Sequence, residues 1–370
     1  MVLDGTPKKI IKLSTAVINK IAAGEIIHRP ASAVKELIEN SLDAEAKKIS
    51  ITVKEGGVKA LQVQDTGNGI RKEDLSIVCK RFTTSKLREF EDLRRIRTFG
   101  FRGEALASIS HVSHLSITTR TRTEQCAYKA FYCDGHLTSP QPGLSVEPVP
   151  FIGPYQIFLK VEDLFYNMDT RRKTLKSSNE EYLKIHTVVC NYSINFPQVS
   201  FTLKKFGEAA ADYRTPADST SRSNIKAIYG QKVEAELLEI EQLEESLELG
   251  IVGLISNANF SLKRGVFVLF INGRLLECPA IRKAIDNVYS AHLPKHAHSF
   301  CYLSLTMNPA NVDVNVHPTK NEVHFLHANR IIEVVQETTR ARLLAESSSR
   351  TFYSQVSLFP SLSVALVTFA

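Results

Sequence analysis

A chain of 370 residues, 43% of them hydrophobic, is long enough for two ordinary domains that each bury a core, which excludes a peptide or a disordered tail. The formal charge of +7 favours polyanionic partners such as nucleic acid or an anionic membrane, as an electrostatic tendency rather than an assignment. Cys79, Cys126, Cys133, Cys190, Cys278 and Cys301 show no C-x-x-C pairing, so reduced thiols are expected rather than a disulfide framework or a zinc site. His317, His324 and His327 lack the companions a metal site needs. The start "MVLDGTPKKIIKL" lacks the apolar core of a secretory signal, and no apolar run reaches the ~18 residues of a membrane span, so no membrane partner is expected.

In chain order, residues 15–27 and 31–45 read as helices separated by "HRP", with Pro30 suited to the first turn of the second. Within the second, "KELIENSLDA" gathers Glu36, Glu39, Asn40 and Asp43 into one arc about 100° wide, with Val34, Leu37, Ile38 and Leu42 opposite. Taken alone, such an acidic face is a solvated helix surface, and only partners elsewhere in the chain make it a site. "ISITV" and "ALQVQ" alternate around Gly56-Gly57, a hairpin. Residues 70–100 are polar, rich in Lys, Arg and Thr, and read as a mobile loop region. Helix returns at "RGEALASISHV", strands at "HLSITTRT", "AYKAFYCDG" and "QIFLKVEDLF", helix at "EEYLKIHTVVCNYSINF", and strand at "VSFTLKKFG". Residues 208–223 lack an apolar stripe and carry Pro216 among several Ser and Thr, so the domain boundary is expected there. Beyond it, "GVFVLFINGR", "PAIRKAIDNVYSAHL" and "FCYLSLTM" form a strand, helix, strand unit, whose crossover should be right-handed if its strands are parallel.

Three stretches supply partners for the acidic helix. "DTGNGI" places Asp65 directly after a strand, where a buried carboxylate can accept a hydrogen bond from an exocyclic amine while Gly67 and Gly69 let backbone approach a flat ring. The same D-x-G-x-G spacing also makes an ordinary turn. "GFRGEALASI" puts Gly100, Arg102 and Gly103 at the mouth of a helix whose first-turn amides are a natural seat for phosphate. "RFTTSK" offers Thr84, Ser85 and Lys86, hydroxyls and an ammonium suited to phosphate or ribose.

These elements, in this order, together with "VINKIAAGEIIHRPASAVKELIENSLDA", "KEGG", "RKEDL", "VEDLFYN", "TRRK" and "VDVNVHPTKNEVHFLH", resemble the MutL family of DNA mismatch-repair proteins and its eukaryotic branch, over about residues 10–353. That family belongs with gyrase B and the histidine kinases in the GHKL class. The resemblance implies an α/β fold: a GHKL (Bergerat-type) ATPase α/β sandwich followed by a smaller α/β domain of the ribosomal-protein-S5-domain-2-like type. The implied division is a lead over 1–14, the ATPase domain over 15–207, the linker over 208–223, a transducer domain over 224–345, and a tail over 346–370 without expected order.

By the same resemblance, ATP and Mg2+ are the expected cofactors. Glu36 is implied as general base on the attacking water, and Asn40, one turn on, as magnesium ligand; an (i, i+4) pair projects side by side and can address both. Glu39 and Asp43 are left as helix-face or supporting residues. Asp65 would read the adenine amine, with Gly67 and Gly69 shaping its pocket; Thr84, Ser85 and Lys86 would lie in the lid. Arg102, Gly103, Glu104, Ala105 and Leu106 would hold the triphosphate, and Lys320 of "HPTK" would reach the γ-phosphate from the second domain. Arg171, Arg172, Lys173 and Lys176, with Arg274 of "INGR", are candidates for DNA phosphate contacts without sequence preference. The implied partners are DNA, a MutL paralogue subunit and a MutS-type mismatch-recognition complex, and the implied place is the nucleus.

The chain departs from the pattern in two places. The family's Gly-Thr run before "VEDLFYN" is replaced by Gln156 and Ile157, within an altered segment from 143 to 158, which bears on nucleotide affinity. The chain also ends after "SQVSLFPSLSVALVTFA", so the family's C-terminal dimerisation domain is expected to be missing, as in a truncated product. An ATPase-impaired DNA- or protein-binding remnant is therefore the alternative to a working ATPase. A kinase or topoisomerase of the same class ranks lower, for want of a phospho-acceptor histidine helix or a cleavage domain.

Overall fold

The computed structural model describes residues 9–87, 89, 91–92, 98–152, 157–175, 177–313 and 324–348. Ser14 caps α1 (Thr15–Ile26) through its hydroxyl, which accepts from the Val17 amide at 3.4 Å, and α2 (Pro30–Asp43) opens on its proline. β1 (Lys48–Lys54) and β2 (Ala60–Asp65) form the expected hairpin around the glycine turn. After the polar stretch come α3 (Ala105–Val112), β3 (His114–Thr119), β4 (Ala127–Cys133), β5 (His136–Thr138), β6 (Val149–Phe151) and β7 (Ile157–Glu162). α4 (Asp169–Thr174), α5 (Ser178–Asn195), β8 (Ser200–Lys205) and β9 (Tyr213–Arg214) complete the first part.

Among the described residues these strands make one nine-stranded sheet, in the order β5-β4-β3-β7-β2-β1-β8-β9, with β6 also pairing β4. Register decides what it buries. Ile49 faces Asp65, Ile51 faces Val63, Val53 faces Leu61, and β7 sets Leu159 and Val161 against Val63 and Leu61. Period-2 alternation puts all of these side chains on one face, where they are buried, while Ser50, Thr52, Gln62 and Gln64 point away. α2 packs against α5 and β2, so its apolar stripe of Val34, Leu37 and Ile38 closes that core. Each such fully buried aliphatic side chain contributes about 2 kcal/mol of burial free energy. The buried side of α2 also carries Glu39, which accepts from the Tyr192 hydroxyl of α5 at 2.6 Å and pairs with Lys35 at 3.8 Å. The acidic helix is thus no solvated face: tertiary packing covers it.

The second part contains α6 (Ser221–Tyr229), α7 (Gln231–Ala235), β10 (Leu237–Glu244), β11 (Leu249–Ser256), β12 (Val266–Ile271), β13 (Arg274–Leu276), α8 (Pro279–Tyr289) and β14 (Phe300–Thr306). The short pair β15 (Val312–Asp313) and β16 (His324–Phe325) precedes α9 (Ala328–Ser348). Its five-stranded sheet runs β10-β11-β14-β12-β13. β12 and β14 are parallel neighbours connected through α8, as the strand, helix, strand pattern predicts. β12 faces two ways: Val268 and Phe270 join the core of the first sheet, and Leu269 and Ile271 join a separate core under α8 and α9.

Residues 208–223 differ from the expected linker. β9 pairs with β8 at the edge of the first sheet, the Thr215 hydroxyl accepts from the Phe201 amide at 2.9 Å, Tyr213 is buried, and α6 already begins at Ser221. A polar segment can still close a sheet edge, because backbone pairing needs no apolar side chains.

Candidate nucleotide site

The site begins with the register that buries Asp65. Leu61, Val63 and Asp65 alternate onto the core face of β2, so the carboxylate ends the strand inside the fold at 1% exposure. Its Oδ1 accepts from the Gly67 amide at 2.8 Å, and its Oδ2 lies 2.7 Å from the Ser41 hydroxyl, which is also 3.0 Å from the Leu37 carbonyl and has one proton to share. Burial pushes the Asp65 carboxyl above its ordinary value, while the Ser41 and Gly67 bonds pull it back. Gly67 is required behind it: a Cβ there would stand 2.7 Å from the Ala44 methyl and 3.0 Å from Asp65 Oδ1.

α2 runs from this point along a cavity of about 580 Å³, whose walls include Glu36, Asn40, Ser41 and Asp43 from the helix and Asp65, Gly69 and Ile157 from the sheet side. Glu36 is 5% exposed, one turn from Asn40. At the far end the wall is built by Thr84, Ser85 and Lys86 and by the segment Gly100–Leu106, which leads into α3. Gly103 adopts φ +62, and a Cβ there would fall 2.2 Å from the Thr83 carbonyl oxygen; the left-handed turn delays the helix to Ala105, later than the sequence pattern places it.

Apart from Gly67, which supports Asp65, and Lys320, which lies outside the described residues, every residue expected on the nucleotide lines this one cavity. Two of them are occupied differently from expectation. Glu104 is paired with Arg81 at 2.7 Å and with Arg102 at 3.9 Å, so its carboxylate orients arginines rather than receiving phosphate, which it would repel. Lys86 sits 3.3 Å from Asn40 Oδ1 and 2.5 Å from Asp43 Oδ2. Asp43, read from sequence only as a supporting residue, is the hub: it also accepts from the Phe99 and Gly100 amides, each at 2.9 Å.

The residues expected on DNA divide. Arg172 and Lys173 are exposed on α4. Arg171 instead donates to the Gly24 and Ile27 carbonyls at 2.7 and 3.1 Å, tying down the end of α1, where orphan carbonyls attract a cation. Arg274 is buried and donates to the Thr98 and Phe99 carbonyls, each at 2.7 Å, so in this conformation it does not present charge to a phosphate backbone. Lys176 lies outside the described residues. Among the described residues, no cluster of three or more His, Cys, Asp or Glu is arranged to hold a metal, and no helix is long and apolar enough to cross a membrane.

Residues 28–138 match the family described as histidine kinase-, DNA gyrase B-, and HSP90-like ATPase, and residues 225–344 match the DNA mismatch repair protein, C-terminal domain. The chain is 44% identical to the DNA mismatch repair protein Mlh1 of Dictyostelium discoideum, over 96% of this chain and 43% of that protein. The chain belongs to the MutL family. The Saccharomyces cerevisiae protein MLH1 is likewise 44% identical, over 93% of the chain and 44% of its own length, so this MutL-family chain spans about half the length of the curated relatives it matches. Among solved structures, the N-terminal domain of a DNA repair protein superposes with a TM-score of 0.77 at 24% identity, covering 91% of this chain and all (100%) of that one. The Aquifex aeolicus MutL ATPase domain complexed with ADP superposes at 0.56 with 21% identity, covering 85% of this chain and 98% of that one. At those identities the likeness carries the fold alone. It confirms the mixed α/β class, and the family match over residues 28–138 identifies the first part as a GHKL ATPase domain, followed by a second α/β domain.

Proposed function

We propose that this MutL-family chain binds Mg-ATP in the cavity along α2 and hydrolyses it slowly, as the N-terminal ATPase portion of a nuclear DNA mismatch-repair protein. The observation that carries the reading is the placement of Glu36 and Asn40 on one face of α2, between a buried carboxylate at one end of the cavity and the opening turn of α3 at the other. A carboxylate offers about four lone-pair sites, so Asp65, beside its bonds to Ser41 and Gly67, can accept from an exocyclic amine. At the other end, the first-turn amides of α3, which the N-cap side chain of Glu104 does not bond, and the Arg102 guanidinium receive the phosphates. Glu36 takes the proton of the attacking water.

Asn40 and Asp43 fit a hard cation, since their oxygens lie together on the cavity wall and already draw the Lys86 ammonium. Magnesium, when bound, neutralises phosphate charge. Thr84, Ser85 and Lys86 form the lid over the nucleotide, and Lys320 supplies an ammonium for the terminal phosphate from the second domain. Bound triphosphate would order the lid and promote association of N-terminal regions; DNA is held by exposed charges such as Arg172 and Lys173 without sequence readout. A paralogue subunit and a MutS-type complex are the proposed partners of the longer protein. The division into 15–207 and 224–345 is proposed as two domains sharing one core.

A second reading has its own support. Ile157 opposes Asp65 across the β2–β7 pair and lines the cavity, an apolar side chain where a hydroxyl would add a hydrogen bond, which favours a chain with weakened nucleotide affinity. Calorimetric titration with ATP separates the two. Saturable binding that requires magnesium supports the ATPase; no saturable heat up to millimolar ATP supports the remnant.

A further inference from the structure

The loop Thr98–Phe99–Gly100 is held from two sides by buried side chains that lie far apart in sequence. From α2, Asp43 accepts the Phe99 and Gly100 amides, each at 2.9 Å. From the start of β13 in the second sheet, Arg274 donates its two terminal nitrogens to the Thr98 and Phe99 carbonyls, each at 2.7 Å. Phe99 thus has its N–H bonded to one domain's helix and its C=O to the other domain's strand. The planar fork of arginine matches two successive carbonyls, which a lysine ammonium on a flexible stem does not. Packing reinforces the grip: the Arg274 guanidinium lies 5.7 Å from the Phe101 ring centroid, and Phe99 meets Phe196 edge-on at 5.8 Å. A side chain at Gly273 would meet the Phe99 ring at 3.1 Å. Two residues beyond the held loop stand Arg102 and the left-handed Gly103, which form the phosphate end of the cavity.

We propose that Arg274 is a positioning residue for the nucleotide reaction, fixing the 98–100 backbone so that the Arg102–Gly103 turn stands where the terminal phosphates arrive. The second domain thereby sets the geometry of the first domain's phosphate wall through one guanidinium. This rests on the cavity being a nucleotide site, but the clamp itself is testable without nucleotide.

Arg274→Lys keeps charge and stem while removing the fork. In the nucleotide-free full chain, hydrogen exchange of the amides in 99–104 should rise about ten-fold or more, while those of β12 and β14 keep their protection. ATP affinity should fall about ten-fold while competition by adenosine, which does not reach the loop, stays unchanged, because losing one well-placed charge-assisted hydrogen bond to phosphate costs about that factor. Asp43→Asn combined with Arg274→Lys should lose less than the product of the single losses, since both act on one loop. Unchanged exchange at 99–104, or equal loss of ATP and adenosine binding, overturns the proposal. Should the wild-type chain bind no ATP, the nucleotide reading fails on its own, and the exchange result still decides whether Arg274 holds the loop.

Discussion

The two ends of the cavity are built differently. At the Asp65 end, strand register does the positioning: β1, β2 and β7 are hydrogen-bonded along their length, and the carboxylate is one more inward residue in their alternation. At the proposed phosphate end, strand register plays no part: the segment from Thr98 to Glu104 is held by side chains, Asp43 and Arg274 on its backbone and Arg81 on Glu104, with Lys86 paired to Asp43. The first kind of wall cannot move without unfolding a sheet. The second can be reset by changing a few contacts, which would suit the proposed site, where the occupant would change from triphosphate to diphosphate.

The comparison can be broken at either end. The largest effect is expected from Gly103→Ala, which combines a left-handed backbone with a Cβ 2.2 Å from the Thr83 carbonyl oxygen. ATP affinity should fall at least about a hundred-fold, while adenosine competition, measured in the same titration, survives because the Asp65 end is untouched.

Asp65→Asn tests the rigid end. It should lower ATP affinity by roughly ten-fold while the melting temperature at neutral pH stays equal or rises. A carboxyl raised by burial gives stability that is fully present below its unfolded pKa and is lost as pH rises through the folded value, so the ionised form is a cost at neutral pH. The difference between variant and wild type should therefore shrink as pH falls into the ordinary carboxylate range, read by calorimetry across pH.

The smallest effect lies outside the cavity: Arg172→Glu with Lys173→Glu should lower DNA affinity several-fold, uniformly across sequences, and reduce the salt slope by about 2. Fluorescence anisotropy over a salt series reads both quantities.

Legibility in the sequence followed the range of the interaction. The glycine-turn hairpin, α2 and the alternation that ends on Asp65 are local patterns, and they stand where the residues place them. Glu36, Asn40 and the segment from Arg102 to Leu106 also gather as the motif resemblance implies. What escaped is what depends on distant partners. Asp43 looks like one more acidic helix residue until the loop 56 and 57 positions away brings it two amides. Arg274 looks like exposed charge until carbonyls 175 and 176 positions away bury it. Composition likewise reads 208–223 as a linker, because the pairing of β9 with β8 leaves no apolar signature.

The central claim is that Glu36 activates water for hydrolysis of a nucleotide lying along α2. It is tested most directly by steady-state ATPase of the purified chain beside Glu36→Ala, with ATP binding measured on both. Loss of turnover, by about a hundred-fold or more for removal of a general base, with ATP binding retained, is the expected result. Equal turnover in the two proteins would contradict the claim.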